Sequence, residues 1–458
     1  MEQIHLFLKR GVIMENVLKL INTEPFDVCK FQSAVKNMNE VDIAEMLDTL
    51  SKEKAVQVFR LLPKGIATEV FANIESDEQQ IIVEALTDSE VGEIINRLFV
   101  DDAVDFIEEM PANVVKRVLV SVSDEKRKII NQMLQYPEDS AGSVMTTEYV
   151  DLMEGLTVSE AFAYIRATGV HKETIYTSYV IKRDRLLVGI VSAKDLMLAQ
   201  PDQKIEDIMD SNFIRVHTTD DQEMVAAIFK KYDLLSMPVV DKEERLVGII
   251  TVDDVVDIIE EENTEDFEIM GALSPSEDPY LKTNIFSLAK NRIVWLLVLM
   301  LSATVTGAII SGFEDALALL PVLVAFIPML MDTGGNAGSQ SSTLIIRGMA
   351  LGEINPKDML RVLWKEIRIG LMCSLALGFI NFIRIYLTNG KNVALAFAVT
   401  ASLCVTVVIA KSVGCVLPML AKKAHIDPAI MAAPLITTIV DAASLIVYFS
   451  IARMIFQL

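Results

Sequence analysis

The sequence predicts a multidomain membrane protein: an all-α superhelical N-terminal domain, a duplicated α/β module, and an α-helical transmembrane domain with five spans. Three observations predict it. Apolar residues recur every 12 positions from Met38 to Leu134, a later stretch repeats itself at a spacing of 59, and five long hydrophobic stretches follow residue 286. These changes of texture set the expected boundaries. They are an N-terminal segment 1–36, a superhelix 37–136, the duplicated module 137–262 (about 143–204 and 205–262), an acidic connecting helix 263–286 and a membrane domain 287–458.

The first segment opens MEQIHLFLKRGVIMENVLKL. It has no long apolar core and no small-residue cleavage site, so no signal peptide is expected. In the next, Met38, Leu50, Leu62, Ile74, Leu86, Leu98, Met110, Val122 and Leu134 mark the period. Apolar partners stand three and four places earlier, as at Met46 and Leu47, Val58 and Phe59, Val70 and Phe71. Each unit therefore reads as an amphipathic helix of about two turns ended by breakers such as Pro63 and Pro111. Helices this short bury their faces on their neighbours and wind into a solenoid. Asp101, Asp102, Asp105, Glu108 and Glu109 crowd one unit. By themselves they fit a solvated helix face as well as a cation site.

In the duplicated module, RLLVGIVSAKDL (Arg185 to Leu196) matches RLVGIITVDDV (Arg245 to Val255). Each copy reads as a charged turn, a strand with a central glycine, and a helix capped by Ser192 or Thr251. A Met-led stretch, Val144-Met145 or Ile208-Met209, precedes each. This pattern resembles a tandem pair of cystathionine-β-synthase (CBS) domains. The resemblance implies a regulatory module, and in many such pairs an adenine nucleotide such as ATP. Thr251 and Asp254 stand where that family often contacts ribose, although the same two residues also make a helix cap.

Asp253, Asp257, Glu261, Glu262 and Glu265 then crowd one face of a helical pattern. Like charges one turn apart are destabilising, which favours a divalent cation among them over a bare linker.

The hydrophobic stretches run roughly 290–311, 317–346, 361–388, 392–420 and 428–455, each long enough to cross a bilayer. Lys282, Lys290 and Arg292 precede the first, Arg347 to Arg368 join the second to the third, and Lys422 and Lys423 join the fourth to the fifth. The other two loops are almost free of basic residues. The positive-inside rule then puts the N-terminal domains in the cytosol and the C-terminus outside a cytoplasmic membrane. The charge is split accordingly: 12 Lys+Arg against 8 Asp+Glu from Asn291 onward, and 29 against 55 before it. So acidic a soluble half excludes nucleic acid as a partner and suits cations. Four scattered cysteines agree with a reducing compartment.

Polar residues inside the spans carry the functional reading. Asp332, Asn336 and Gln340, four apart, form one oxygen-rich stripe beside Gly334, Gly335 and Gly338. In the last span Thr437, Asp441 and Ser444 share a stripe and Thr438 lies partly on it. A carboxylate at bilayer depth costs ~2.5–3.5 kcal/mol on the most lenient scale, so Asp441 is expected to face a wet path. Asp427 reads equally as the mouth of that path and as the cap of a helix beginning at Pro428.

The motifs Pro328-x7-Asn336-x-Gly338-x-Gln340 and Pro434-x6-Asp441-Ala-Ala, with the order of the domains, resemble the MgtE family of magnesium channels. The resemblance covers nearly the whole chain. It implies a homodimer with one ion path on its axis, Asp441 as the pore carboxylate, Asn336 and the glycine stretch beside it, and cytosolic Mg²⁺ closing the pore. The metal residues it points to are Asp441, Asn336, Asp427, Asp101, Asp105, Asp253, Asp257, Glu261, Glu262 and Glu265. Those expected to line the pore are Asp332, Gly335, Gly338, Gln340, Thr437 and Thr438. Asp332 departs from the family pattern, which has small residues there more often.

Mg²⁺ gives up water reluctantly, so paired Asp441 carboxylates would select a largely hydrated ion. The alternatives are another divalent ion (Mn²⁺ or Co²⁺) and a nucleotide-sensing receptor without conduction. No Ser/His/Asp or Cys/His constellation or phosphate loop suggests an enzyme.

Overall fold

The computed structural model describes residues 13–23, 26–276, 280–281 and 283–457. Residues 1–12 of the expected N-terminal segment, and 277–279 and Lys282 of the expected connector, lie outside the described residues. The chain divides into two compact units, Met1–Ile259 and Glu260–Leu458.

The first unit begins with short helices on the 12-residue period, from Val28–Val35 through Lys52–Arg60, Lys64–Ala72, Asp88–Arg97 and Val100–Glu108 to Asp124–Met133. Polar caps begin them: Asp27, Asn39 and Ser123 accept backbone N–H groups at the N-termini, and Thr87 with Glu90 completes a capping box. Most of these helices pack on the second neighbour along the chain, Lys64–Ala72 on Asp88–Arg97 and that on Ala112–Ser121, which winds the row into a superhelix. Gly92 permits one such contact, since a Cβ there would collide with the Ser121 carbonyl oxygen. The apolar pairs read from the sequence fill the inside, with Phe71 fully buried between Phe59 and Phe106. Burying a ring of that size stabilises by about 1.5–3 kcal/mol.

The duplicated module forms two three-stranded sheets of one topology. In the first, β1 (Val150–Met153) lies parallel to β2 (Thr177–Ile181), which is antiparallel to β3 (Leu187–Ser192). In the second, β4 (Val216–His217), β5 (Ser236–Val240) and β6 (Leu246–Thr251) repeat the order. The strand glycines hold the copies together. A Cβ on Gly189 would stand 2.6 Å from Met209 Sδ, and one on Gly248 would stand 2.5 Å from Met145 Sδ. The methionine leading each copy thus rests on the sheet of the other. Met145, Val239 and Ile250 also belong to one continuous core with the superhelix.

The acidic residues from Asp253 to Glu265 lie on one helix, as their pattern implies. It spans Val252–Met270, starting directly after β6, and so covers only the first part of the 263–286 expected for the connector. Gly271 closes its last turn and Ala272 turns left-handed at φ 55°, so the chain leaves the helix there.

The second unit is a bundle of long helices: Ile285–Ser311, Ile327–Ala350, Met359–Thr388, Val393–Lys423 and Ala433–Phe456. Among the described residues four segments are long and apolar enough to cross a membrane: Ile285–Ser311, Pro356–Thr388, Val393–Lys423 and Pro428–Phe456. Ile327–Ala350 has 24 residues, a sufficient length of about 36 Å, but its polar residues keep it out of that group. It does not begin near residue 317. Pro321 opens a 3₁₀ turn to Phe326, and Pro328 then sits in the first turn of the helix, where a missing N–H costs nothing. This polar helix packs against Val393–Lys423 and Ala433–Phe456, while Met359–Thr388 lies along Val393–Lys423.

Candidate ion sites

The polar helix has two different faces. Gly334, Gly335 and Gly338 are buried, whereas Asp332, Asn336 and Gln340 are exposed along the opposite side. Gly335 and Gly338, expected in the pore lining, are packing residues instead. A Cβ on Gly335 would stand 2.9 Å from Thr437 Cγ2, and one on Gly338 would stand 2.8 Å from Ile436 Cγ2 and 3.2 Å from the Ala410 carbonyl. Only glycine allows helices this close.

On the last helix Asp441, Thr437 and Thr438 are half-buried. Thr437 and Thr438 donate to the Pro434 carbonyl at 2.9 and 3.0 Å, leaving their oxygen lone pairs as acceptors. Ser444 does not share this side: it is buried and donates to the Val440 carbonyl. Asp427 caps the 3₁₀ turn Pro428–Met431 by accepting from the Ala429 N–H at 2.8 Å, which is the capping role. Among the described residues no three Asp, Glu, His or Cys side chains converge closely enough to hold one metal ion directly. The donor set offers scattered hard oxygens, which suits an ion that keeps its water.

A second acidic site lies in the first unit, where Val100–Glu108 faces the duplicated module. Asp101 is 8% exposed, and burial pushes its carboxyl well above the usual range, helped by Asp102, Asp254 and Glu173. Asp102 rises to about 6, mainly through burial and then through Asp254. Burial raises Glu173 to about 7, with Asp253, Asp102 and Asp254 adding to it, and its Oε2 is buried with no hydrogen-bond partner. Asp105, on the open rim, and Asp254 are raised as well, again by desolvation first. Lys126 is the cation facing them. It donates to the Leu98 carbonyl and lies 3.6 Å from Glu148, which also accepts from Thr146 at 3.0 Å.

Asp101, Asp105, Asp253 and Asp257 are thus gathered around Asp254, whose own pKa feels Asp253 and Asp257. Glu261, Glu262 and Glu265 continue the same helix within the second unit. Sequence reasoning missed Glu148, Glu173 and Lys126, which come from loops and another helix and share no spacing with the aspartates. Thr251 and Asp254 bond to each other, Oγ1 to Oδ2 at 2.5 Å, as a helix cap. Asp254 then lends its charge to the acidic cluster.

Family models agree with this arrangement. One described as MgtE, divalent cation transporter, matches 327–451; the MgtE intracellular N domain matches 38–139, and CBS domains match 141–202 and 205–261. A Thermus thermophilus protein named magnesium transporter MgtE is 39% identical over 325 residues, 71% of this chain and 72% of its own length. The chain belongs to the MgtE family. A Bacillus subtilis MgtE is 38% identical over 324 residues, 70% of each chain. Among solved structures, the soluble part of a magnesium transporter superposes with a TM-score of 0.52 at 27% identity, covering 55% of this chain and 99% of that one. MgtE proteins are thus the relatives of both units, and the MgtE membrane model covers the polar helix with its stripe as well as Asp441.

Proposed function

We propose that the chain is an Mg²⁺-selective channel or transporter that admits magnesium across the cytoplasmic membrane and shuts when Mg²⁺ binds its acidic cytosolic domains. The observation that carries this reading is the open oxygen stripe of Asp332, Asn336 and Gln340, left uncovered on a helix whose other side is sealed by glycines. Polar side chains at that depth are retained only where water or a partner meets them. The MgtE relatives are named magnesium transporters, which supplies the ion.

In this reading Ile327–Ala350 is the fifth span, and two chains meet so that their stripes and their Asp441 side chains face one path. The N-terminal domains are cytosolic and the C-terminus is outside. Two carboxylates match the charge of Mg²⁺ and accept hydrogen bonds from its coordinated waters, so the ion need not be stripped. Softer ions gain little here. Met329 on this helix accepts from Arg384 Nη2 at 2.9 Å, and the donors on the stripe are oxygens.

Closure follows from the acidic cluster of the first unit. Burial and mutual repulsion make ionising its carboxyls costly, and the two positive charges of Mg²⁺ would offset that cost. Binding draws Val100–Glu108 and the start of Val252–Met270 together and shifts the population towards a closed state. ATP at the CBS pair, near Thr251 and Asp254, would meet the same charges, so its binding is expected to depend on Mg²⁺. Asp441→Ala should abolish Mg²⁺ flux in reconstituted vesicles, and undiminished flux would overturn the reading. A receptor without conduction is separated by the wild-type chain itself, which would then pass no ion.

A further inference from the structure

Three helices of the second unit meet at polar side chains that the ion stripe does not use. Glu366 of Met359–Thr388, Lys411 of Val393–Lys423 and Ser341 of Ile327–Ala350 are 7%, 5% and 1% exposed. Ser341 Oγ donates to Glu366 Oε2 at 2.6 Å and accepts from Lys411 Nζ at 3.3 Å. One hydroxyl therefore links an anion and a cation. Lys411 stands about 18 Å along its helix from the Lys423 end, too deep for its ammonium to snorkel to the interface. Polar groups held this deep in a bundle are retained where they find partners, and here Ser341 joins the two.

The backbones close in around this bridge. A Cβ on Gly414 would collide with the Gly338 carbonyl oxygen, and one on Gly370 would stand 3.3 Å from Val408 Cα and 3.7 Å from Lys411 Cδ. Each glycine lies about one turn from a member of the bridge, so a side chain as short as serine can span the gap. A seam of small residues resists separation, but its dispersion contacts hardly oppose rotation of one helix against another. Charge-assisted hydrogen bonds are directional and do oppose it. Ser341 directly follows Gln340, and consecutive residues differ by about 100° around the axis. A rotation that breaks the bridge therefore turns Asn336 and Gln340 away from the open side.

We propose that the Lys411–Ser341–Glu366 bridge is the positioning element of the polar helix, fixing its rotation so that Asp332, Asn336 and Gln340 face the ion's path. This rests on the reading of that stripe as the wall of the path. The test uses the full-length chain with its four cysteines replaced by alanine, reconstituted in vesicles, and single Asn336→Cys, Ala337→Cys or Gln340→Cys changes. A charged methanethiosulfonate reagent labels thiols that meet water. With the bridge intact, Asn336→Cys and Gln340→Cys are labelled, Ala337→Cys is not, and labelling at Gln340→Cys lowers the flux of that variant.

Ser341→Ala removes one oxygen, and Glu366→Gln with Lys411→Met removes both charges without orphaning either. In both backgrounds labelling at Gln340→Cys should be lost and labelling at Ala337→Cys should appear, while the ratio of Mg²⁺ to Co²⁺ flux falls. An unchanged labelling pattern and flux ratio, with thermal stability alone reduced, overturns the proposal. So does a Ser341→Ala chain that does not fold, since the bridge is then a stability element. If labelling at Gln340→Cys leaves flux intact in the parent, the stripe does not line the path, and the proposal falls for that separate reason.

Discussion

Replacing Asp102 by asparagine should stabilise the first unit in the absence of Mg²⁺, and the gain should grow with pH. The Asp102 carboxyl rises from its ordinary value of 3.8 to about 6 through burial and the nearby Asp254. A raised carboxyl favours the folded state below its unfolded pKa, and that contribution is lost as pH climbs through the folded one. At 1.36 kcal/mol per pH unit the ionised group costs about 3 kcal/mol above pH ~6 and almost nothing near pH ~3. The amide that replaces the carboxyl is neutral throughout, so the variant escapes this cost. For a unit of this size 1 kcal/mol moves Tm by about 2–4 °C, giving a rise of roughly 6–12 °C. Thermal unfolding of the detergent-solubilised chain in a chelator, at about pH 4 and pH 8, reads it directly. Added Mg²⁺ should raise the Tm of the parent at pH 8 more than that of the variant. An equal gain at both pH values, or no gain at either, would refute the cost of ionising the buried Asp102 carboxyl as its cause.

Three further outcomes follow from the same geometry. Neutralising Asp101, Asp253, Asp257 and Glu261 together should leave flux indifferent to cytosolic Mg²⁺, as patch recording at varied Mg²⁺ would reveal. Gly414→Ala forces a methyl against the Gly338 carbonyl, and overpacking of this kind costs about 1–3 kcal/mol; both the Tm in detergent and the Mg²⁺ flux should fall. Asp427→Ala removes a helix cap worth about 1 kcal/mol, so a small loss of stability with flux retained is expected in parallel melting and uptake measurements.

Much of the architecture was legible in the sequence because short helices and small sheets leave periodic marks. The pairs Met46–Leu47 and Phe106–Ile107 fall where a two-turn helix must bury its face, and both are buried. The second duplication was legible through Gly189 and Gly248, although the sequence did not say that each glycine receives the methionine of the other copy. The start of the polar helix was misplaced because hydropathy runs smoothly through Leu317 to Phe326, where Pro321 bends the chain into a 3₁₀ turn. The oxygen stripe could be read because it shares one helical period. The glycines beside it could not be assigned, since a glycine that lines a pore and one that admits a neighbouring helix look alike until that neighbour is placed. The acidic cluster was half legible: Asp101 and Asp105 stand on one helix, but Glu148 and Glu173 reach it through tertiary contacts alone.

The exchange of Met145 and Met209 between the two sheets makes the CBS pair indivisible. Cutting the chain near residue 204 would leave the groove over Gly189 without its plug and strand Met145 on a surface with no sheet beneath it. Two halves made separately would then be expected to recombine, each restoring the piece the other lacks. A duplication joined in this way ties the packing of each sheet to a residue supplied by the other.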